Sequence, residues 1–270
     1  MRILIFLSFI LSSIYANTID NGKAFFYSFD KIKNPLIKMD NKDLQIFSHP
    51  TQKDKLFTII PINYKTKDKI KNIAIFSDHN IYKTFTLDIT KGKYKKEKLK
   101  VNKKHVNPFK KVRERIQKEY AEATKIYNTI SNKTYVNSKF ELPMNSKITS
   151  AFGNARVFND QLKSYHSGTD FRAKVGTDVK AINDGVVVLV KDRYYAGGSV
   201  IVDHGMGIYS CYFHLSSYKV KVGEKIKKGQ VLALSGATGR ITGPHLHLTI
   251  KVNGTTVDPL DFMDKYNSLW

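Results

Sequence analysis

From about residue 140 onward glycine recurs at short intervals. The runs between the glycines are short, apolar and β-branched: VVVLV, SVIVDH, IYSCYFHL, QVLALS and HLHLTIKV. Runs of this length are too brief for packed helices and carry the residue types that suit a pleated surface. Gly205-Met206-Gly207 reads as the turn of a hairpin joining two of them. This punctuation restricts the second half, residues 139–270, to a compact antiparallel β-domain, with no convincing helix before its last residues.

The first half is also β-rich but differently built. AFFYSF, PLIKM, LQIFS, LFTIIPI, KNIAIFS and YKTFTLDI are separated by Asn, Asp, Pro and Lys clusters. Strands at this spacing predict a small β-sandwich-like domain over residues 17–104. Its two histidines, His49 and His79, are isolated and suggest no site. The basic run KGKYKKEKLKVNKK, residues 91–104, reads as a solvated edge strand, because lysine discourages edge-to-edge pairing. A contact with anionic polymer is the other reading. Residues 105–138 form a helical linker, with Asn107 as N-cap and Pro108 at the first helical position. Val112, Ile116, Tyr120, Ala123, Tyr127 and Ile130 give it one apolar stripe, and the polar stretch from Asn132 to Ser138 is its exit. The whole chain is thus expected to be mostly β, with two β-domains bridged by an amphipathic helix.

The chain opens MRILIFLSFILSSIYAN, with Arg2 before an apolar run too short to span a bilayer and small residues up to Ala16. Residues 1–16 read as a signal peptide, with export, most simply to a periplasm, and no stable membrane insertion afterwards. Cys211 is the only cysteine, so no internal disulfide can form. Alternation points it away from His214, as a buried and inert thiol. Lys and Arg outnumber Asp and Glu by 45 to 23, a net charge of +22. Such a surface favours polyanions, but Lys, Asn and Ile run high together, as an AT-rich genome would produce. The basic residues are dispersed and match no reader motif, so nucleic acid is not an expected partner. A monomer is the default.

Chemistry concentrates in the glycine-rich half. YHSGTDF holds His166 and Asp170, one nitrogen and one oxygen donor on a short segment, with Gly168 allowing a tight turn between them. In PHLHL, His245 and His247 share one strand face with Thr249, while Leu246, Leu248 and Ile250 share the other. The same parity in YSCYFHLS groups Ser210, Tyr212 and His214 on a groove face, opposite Cys211, Phe213 and Leu215. His204, at the hairpin turn, reads as structural. A catalytic zinc takes three protein ligands and keeps one position open. His166, Asp170 and one histidine of PHLHL would complete that set. Two histidines are then left in the same groove for proton transfer and oxyanion stabilisation.

Over about residues 139–262 the sequence resembles the lysostaphin/LytM-type zinc metallopeptidases, which cut peptide bonds of peptidoglycan. The resemblance is carried by SAFGNAR, YHSGTDFRAKVGTDVKAINDGVV, VIVDHGMGIYSCYFHLS, VKVGEKIKKGQVLALSGATGRITGPHLHLTI and VNGTTVDPLDF. YHSGTDFRA, RYYAGGSV and TGRITGPHLH look like the cell-shape-determining subgroup of helical Gram-negative cells. It implies a LytM-like catalytic domain, one zinc per chain and peptidoglycan stem peptides as substrate. The implied activities are D,D-endopeptidase and D,D-carboxypeptidase. Carried over by motif, His166, Asp170 and His247 would be the zinc ligands, and His214 and His245 the catalytic pair. Which of the pair is the base stays open. Tyr194 and Tyr195, in RYYAGG, are candidates for a groove wall. One departure is the spacing Ser150-Ala-Phe-Gly-Asn-Ala-Arg156, one residue longer than the family's usual pattern, which leaves Arg156 without an inherited role.

Three other readings are weaker on the residues. A non-catalytic relative that activates a partner hydrolase would be expected to lack ligands. A lipoyl- or biotinyl-like carrier, suggested by VGEKIKKGQVLALSG, lacks the modified lysine at its hairpin turn. Nucleic-acid binding rests on charge alone. The N-terminal domain and helix are expected to position or gate the groove.

Overall fold

The computed structural model describes residues 17–40, 42–102, 106, 108–130, 133–160 and 162–270. The signal-peptide reading of residues 1–16, the Asn107 cap, Asn132 and the lysines at 103 and 104 lie outside them. Among the described residues no helix is long and apolar enough to cross a membrane.

The first half is a β-sandwich. Five strands run in the order Asn17–Asp20, Asn80–Thr90, Ile70–Ser77, Leu36–Met39, Lys42–Leu44, and three in the order Ala24–Asp30, Lys55–Pro61, Phe47–Ser48. Ile19, Ile37, Ile73, Ile75 and Leu87 of one sheet meet Phe29, Leu56, Ile60 and Ile62 of the other. The strand Lys55–Pro61 is buried along its centre because it has a core on each face. Leu56 and Ile60 point into the sandwich, whereas Phe57 and Ile59 belong to the main core of the second half. That explains its unbroken apolar run.

The second half is an antiparallel sheet in the order Ile148–Ser150, Thr169–Arg172, His245–Val252, Ile208–Tyr218, Gly197–Asp203, Gly185–Arg193, Lys225–Ile226, with shorter strands paired along it. A closing helix, Pro259–Asn267, is capped by Asp258, whose side chain accepts from Leu260 N and Asp261 N. Phe262 and Tyr266 of this helix pack against Phe26 and Phe140, with ring centroids 4.9–6.1 Å apart. They join the two halves with buried aromatic surface.

The bridging helix spans Lys110–Tyr127, starting later than the sequence suggested. Phe109 at its cap has extended dihedrals (φ −55°, ψ 147°), and Val112 N reaches back to Phe109 O at 3.0 Å. Ala123 and Tyr127 pack on Leu189, Ile201, Tyr209 and Cys211, but the predicted stripe breaks. Tyr120 is 72% exposed, and Ile130 lies exposed beyond the helix. The buried position between Ile116 and Ala123 is taken by Glu119 instead. Its carboxylate accepts from Arg115 Nε at 2.6 Å and Tyr194 N at 2.9 Å, and its carbonyl accepts from Arg193 Nη2 at 3.1 Å. The helix is therefore docked by charge where it crosses the loop at Tyr194.

A third sheet joins the halves near the site. Lys96–Leu99 adds, parallel, to Ala155–Phe158, which pairs antiparallel with Leu162–Tyr165. The basic run thus supplies an edge strand, with Lys96 and Lys98 exposed and Glu97 and Leu99 turned inward.

His204 is fully buried, with Nδ1 2.7 Å from Asp184 O and Nε2 2.8 Å from Ser210 Oγ. Cys211 is a buried free thiol, and burial pushes its pKa up to about 11.

Two measurements follow from these contacts. Glu119→Ala strips the half-buried Tyr194 amide of this acceptor and should lower the unfolding free energy by about 1–3 kcal/mol in urea titrations. An unchanged midpoint would mean that the helix docks by its apolar residues alone. Burial lowers the His204 pKa to about 4 from its usual 6.5. Between those values the unfolded chain binds a proton that the folded chain refuses. Stability is therefore complete above pH 6.5 and declines as pH falls towards 4, by about 3 kcal/mol for this group. His204→Asn should flatten that part of the pH–stability curve relative to the unsubstituted protein; parallel curves would refute it.

Candidate metal centre and groove

Three neighbouring strands assemble the centre. Thr169–Arg172 pairs with His245–Val252 so that Asp170 lies directly opposite His247, and Ile208–Tyr218 places Phe213 on the far side of His247. Phe213 stacks on the His247 ring at 5.6 Å and 17°. His166 enters from the turn before Thr169. Gly168 is required there: a Cβ would lie 2.5 Å from His247 Nε2 and closer still to Leu248 O.

His166, Asp170 and His247 form the group that could hold a metal ion, and all three are buried. His166 Nε2 is 2.8 Å from Asp170 Oδ1 and 3.0 Å from His247 Nδ1, and His247 Nδ1 is 2.8 Å from Asp170 Oδ1. The outer nitrogens show what these atoms carry. His166 Nδ1 lies 2.8 Å from Ala151 O, which can only accept, so the proton is on Nδ1. Thr249 Oγ1 donates to Ser167 O at 3.0 Å and lies 2.9 Å from His247 Nε2, so it receives that nitrogen's proton. The three inward atoms are then all electron-pair donors with no proton among them. Such a triangle is repulsive until a cation enters, and two imidazole nitrogens with one carboxylate oxygen suit zinc.

The charges agree with this assignment. Burial would raise the Asp170 carboxyl, but the His166 and His247 contacts hold it well below the usual carboxylate range. Burial lowers His247 to about 4. Asp170 Oδ2, the outer oxygen, accepts from Arg156 Nη2 at 2.9 Å. Arg156 is itself held by Glu97, Nε to Oε2 at 3.0 Å. Glu97 Oε1 also accepts from Ser150 Oγ at 2.8 Å and Asn154 Nδ2 at 2.7 Å.

His245 and His214 flank the triangle. His245 Nε2 lies 3.6 Å from Asp170 Oδ1, and its ring is 4.8 Å from that of His214. Each anchors its Nδ1 on a carbonyl, His245 on Gly243 O and His214 on Thr238 O, both at 2.8 Å. Burial, then the charge of His247 and His245, puts the His214 pKa well below its usual value.

The parity expected for His214 is overturned. Tyr212 pairs with Leu248 and lies in the main core with Leu215, while Phe213 and His214 both face the groove. Ser210 pairs with Ile250 on that core side, and Cys211 packs instead on the helix side. Strict alternation would have buried His214 beside Tyr212. A bulge opposite Ser199, with His214 at φ 64°, turns it into the groove. Of the two tyrosines, Tyr195 lines the groove, whereas Tyr194 is not among the lining residues.

Two site residues escaped the sequence reading. Glu97 carried a signal: it is the lone acid in the basic run, and Glu97, Leu99 and Val101 alternate with lysines. All three line a cavity of about 180 Å³ with His214, His245 and Arg240. Arg240 carried none, because its importance comes from rings distant in sequence.

Comparison with known proteins covers the segment that holds these residues. The model for peptidase family M23 matches residues 164–259. The peptidoglycan DD-endopeptidase ShyA of Vibrio cholerae is 46% identical over 95 residues, 35% of this chain and 22% of that protein. The glycyl-glycine endopeptidase ALE-1 of Staphylococcus capitis is 41% identical over 104 residues, 36% of this chain and 29% of that protein. The chain therefore spans less than a third of these curated relatives. The crystal structure of a putative peptidase M23 from Pseudomonas aeruginosa superposes with a TM-score of 0.69 at 26% identity, over 90% of this chain and 94% of that one. With its donor triangle inside the matched segment, the chain carries a peptidase family M23 domain.

Proposed function

We propose that this protein is an exported zinc-dependent peptidoglycan hydrolase that cuts stem-peptide bonds, as a D,D-endopeptidase on crosslinks, a D,D-carboxypeptidase on pentapeptides, or both, and so remodels the wall and cell shape. The observation that carries it is the triangle of His166 Nε2, His247 Nδ1 and Asp170 Oδ1, all within 3.0 Å of one another, beside two further imidazoles. His166, Asp170 and His247 would hold one zinc ion. Zinc bound there supplies a Lewis acid that polarises the scissile carbonyl and activates water. The rest falls to the chain. His245 and His214 each anchor Nδ1 on a carbonyl and turn Nε2 to the groove. The pair takes up the proton as water adds to the carbonyl carbon, and returns it to the amine as the C–N bond breaks. Phe213 and Thr249 hold the His247 ring in plane. Glu97 and Arg156 fix Asp170 so that Oδ1 faces His166 and His247, where it would hold the ion.

Digestion of purified sacculi, with products separated by mass, tests the activity. The unsubstituted protein should split crosslinked dimers, shorten pentapeptides, or both. His247→Ala should lose both metal and activity, whereas His245→Ala should keep the metal and lose activity by roughly 100-fold or more. A zinc-loaded protein that leaves sacculi and isolated muropeptides intact would falsify the hydrolase reading. Glu97→Gln keeps size but removes the charge facing Arg156. In chelator competition it should weaken zinc binding by about 10- to 100-fold. Unchanged affinity would show that the Arg156–Asp170 pair needs no support from the Lys96–Leu99 strand.

A further inference from the structure

The groove holds two arginines with opposite charge environments. Arg156 is neutralised by Glu97 and Asp170. Arg240, in the TGRITG loop, has no carboxylate partner and no side-chain hydrogen bond among the described residues. Its guanidinium carbon sits 4.4 Å from the centre of the Phe158 ring and 4.8 Å from that of Tyr195. Arg240 N donates to Tyr195 O at 2.9 Å, which pins the loop to that wall. Burial, with the nearby Arg156 charge, makes the Arg240 cation harder to keep. A half-buried cation without a counter-ion is unfavourable, and the fold tolerates it beside the catalytic histidines.

Its surroundings specify what would relieve it. Two aromatic rings lie within 4.8 Å of the guanidinium carbon and offer it no hydrogen-bond acceptor, so its N–H groups remain as donors for a ligand. Arg240 borders both cavities that meet at His214: one of about 160 Å³ with Tyr165, Ser167 and Tyr195, the other of about 180 Å³ with Thr242 and His245. A guanidinium with its N–H groups uncommitted matches a carboxylate bidentately.

We infer that Arg240 is a specificity-determining residue that binds a free carboxylate on the substrate residue supplying the leaving amine. This rests on the hydrolase reading above and deepens it. Both proposed reactions share this chemistry. In a carboxypeptidase substrate the departing residue bears the terminal carboxylate. In a crosslink made through one amine of a diamino dicarboxylic acid, the carboxylate on the carbon that bears that amine stays free. One anchor one residue from the scissile carbonyl serves both, and it rejects ordinary internal peptides, whose corresponding carbonyl is an uncharged amide.

The test compares substrates that differ only at that group. A short peptide ending in D-Ala-D-Ala is assayed as free acid and as C-terminal amide, and a crosslinked muropeptide dimer with that carboxylate free or amidated. The unsubstituted protein should prefer the free acids in kcat/KM by roughly 10- to 100-fold. Arg240→Met should collapse the acid-to-amide ratio towards one, and Arg240→Lys should restore part of it. The peptide pair reads the terminal source and the dimer pair the crosslink source; a preference in either supports the subsite. If Arg240→Met lowers acid and amide alike, the residue is only structural and the inference fails, as it does if neither pair shows a preference. Calorimetric binding of the same pairs to zinc-loaded His245→Ala reads the subsite without turnover. A chain that proves inactive on sacculi yet binds the acids more tightly overturns the hydrolase reading and leaves the subsite standing.

Discussion

Every part of the centre depends on how its imidazoles are tethered. His166, His214, His245 and His247 each bind a protein acceptor with the nitrogen that faces away from the groove: three backbone carbonyls and the Thr249 hydroxyl. A neutral imidazole has one proton, and here each is spent outside. The inward nitrogens are left as four electron pairs on one surface. Two of them lie with Asp170 in the group that could hold a cation, and two lie beside it.

Much of this was legible in the sequence. PHLHL on a strand puts two histidines on one face whatever the fold around them, and HSGTD confines an imidazole and a carboxylate to one turn. The β-rich halves and the bridging helix follow from run length and periodicity in the same way. Alternation fails where the backbone departs from it. His214 reaches the groove only because an extra residue interrupts the ladder, so the parity that placed it there also misplaced Ser210 and Tyr212. The helical stripe fails at Glu119 for a related reason: a buried carboxylate answering a loop amide cannot be told from a solvated one by spacing. Arg156 and Arg240 look alike as basic residues. Only the assembled groove shows one neutralised twice and the other bare.

The two halves are less separate than a boundary drawn in sequence suggests. The strand Lys55–Pro61 offers alternate residues to two cores, and the closing helix returns from the far end of the chain to pack on Phe26. Burial between the halves is aromatic and continuous, so their relative placement is held by side-chain packing as well as by the bridging helix.

The strand Lys96–Leu99 has a consequence in time. It leaves the ribosome well before Ala155–Phe158, the strand it must pair with, and a parallel pairing cannot be made by a local turn. Until then its backbone is an open edge, the kind of surface on which chains aggregate. The alternation that turns Glu97 towards Arg156 also turns Lys96 and Lys98 outward. One period-two pattern therefore does two jobs at different moments: its lysines guard the waiting edge, and its single acid completes the charge balance of the metal centre once the partner strand arrives.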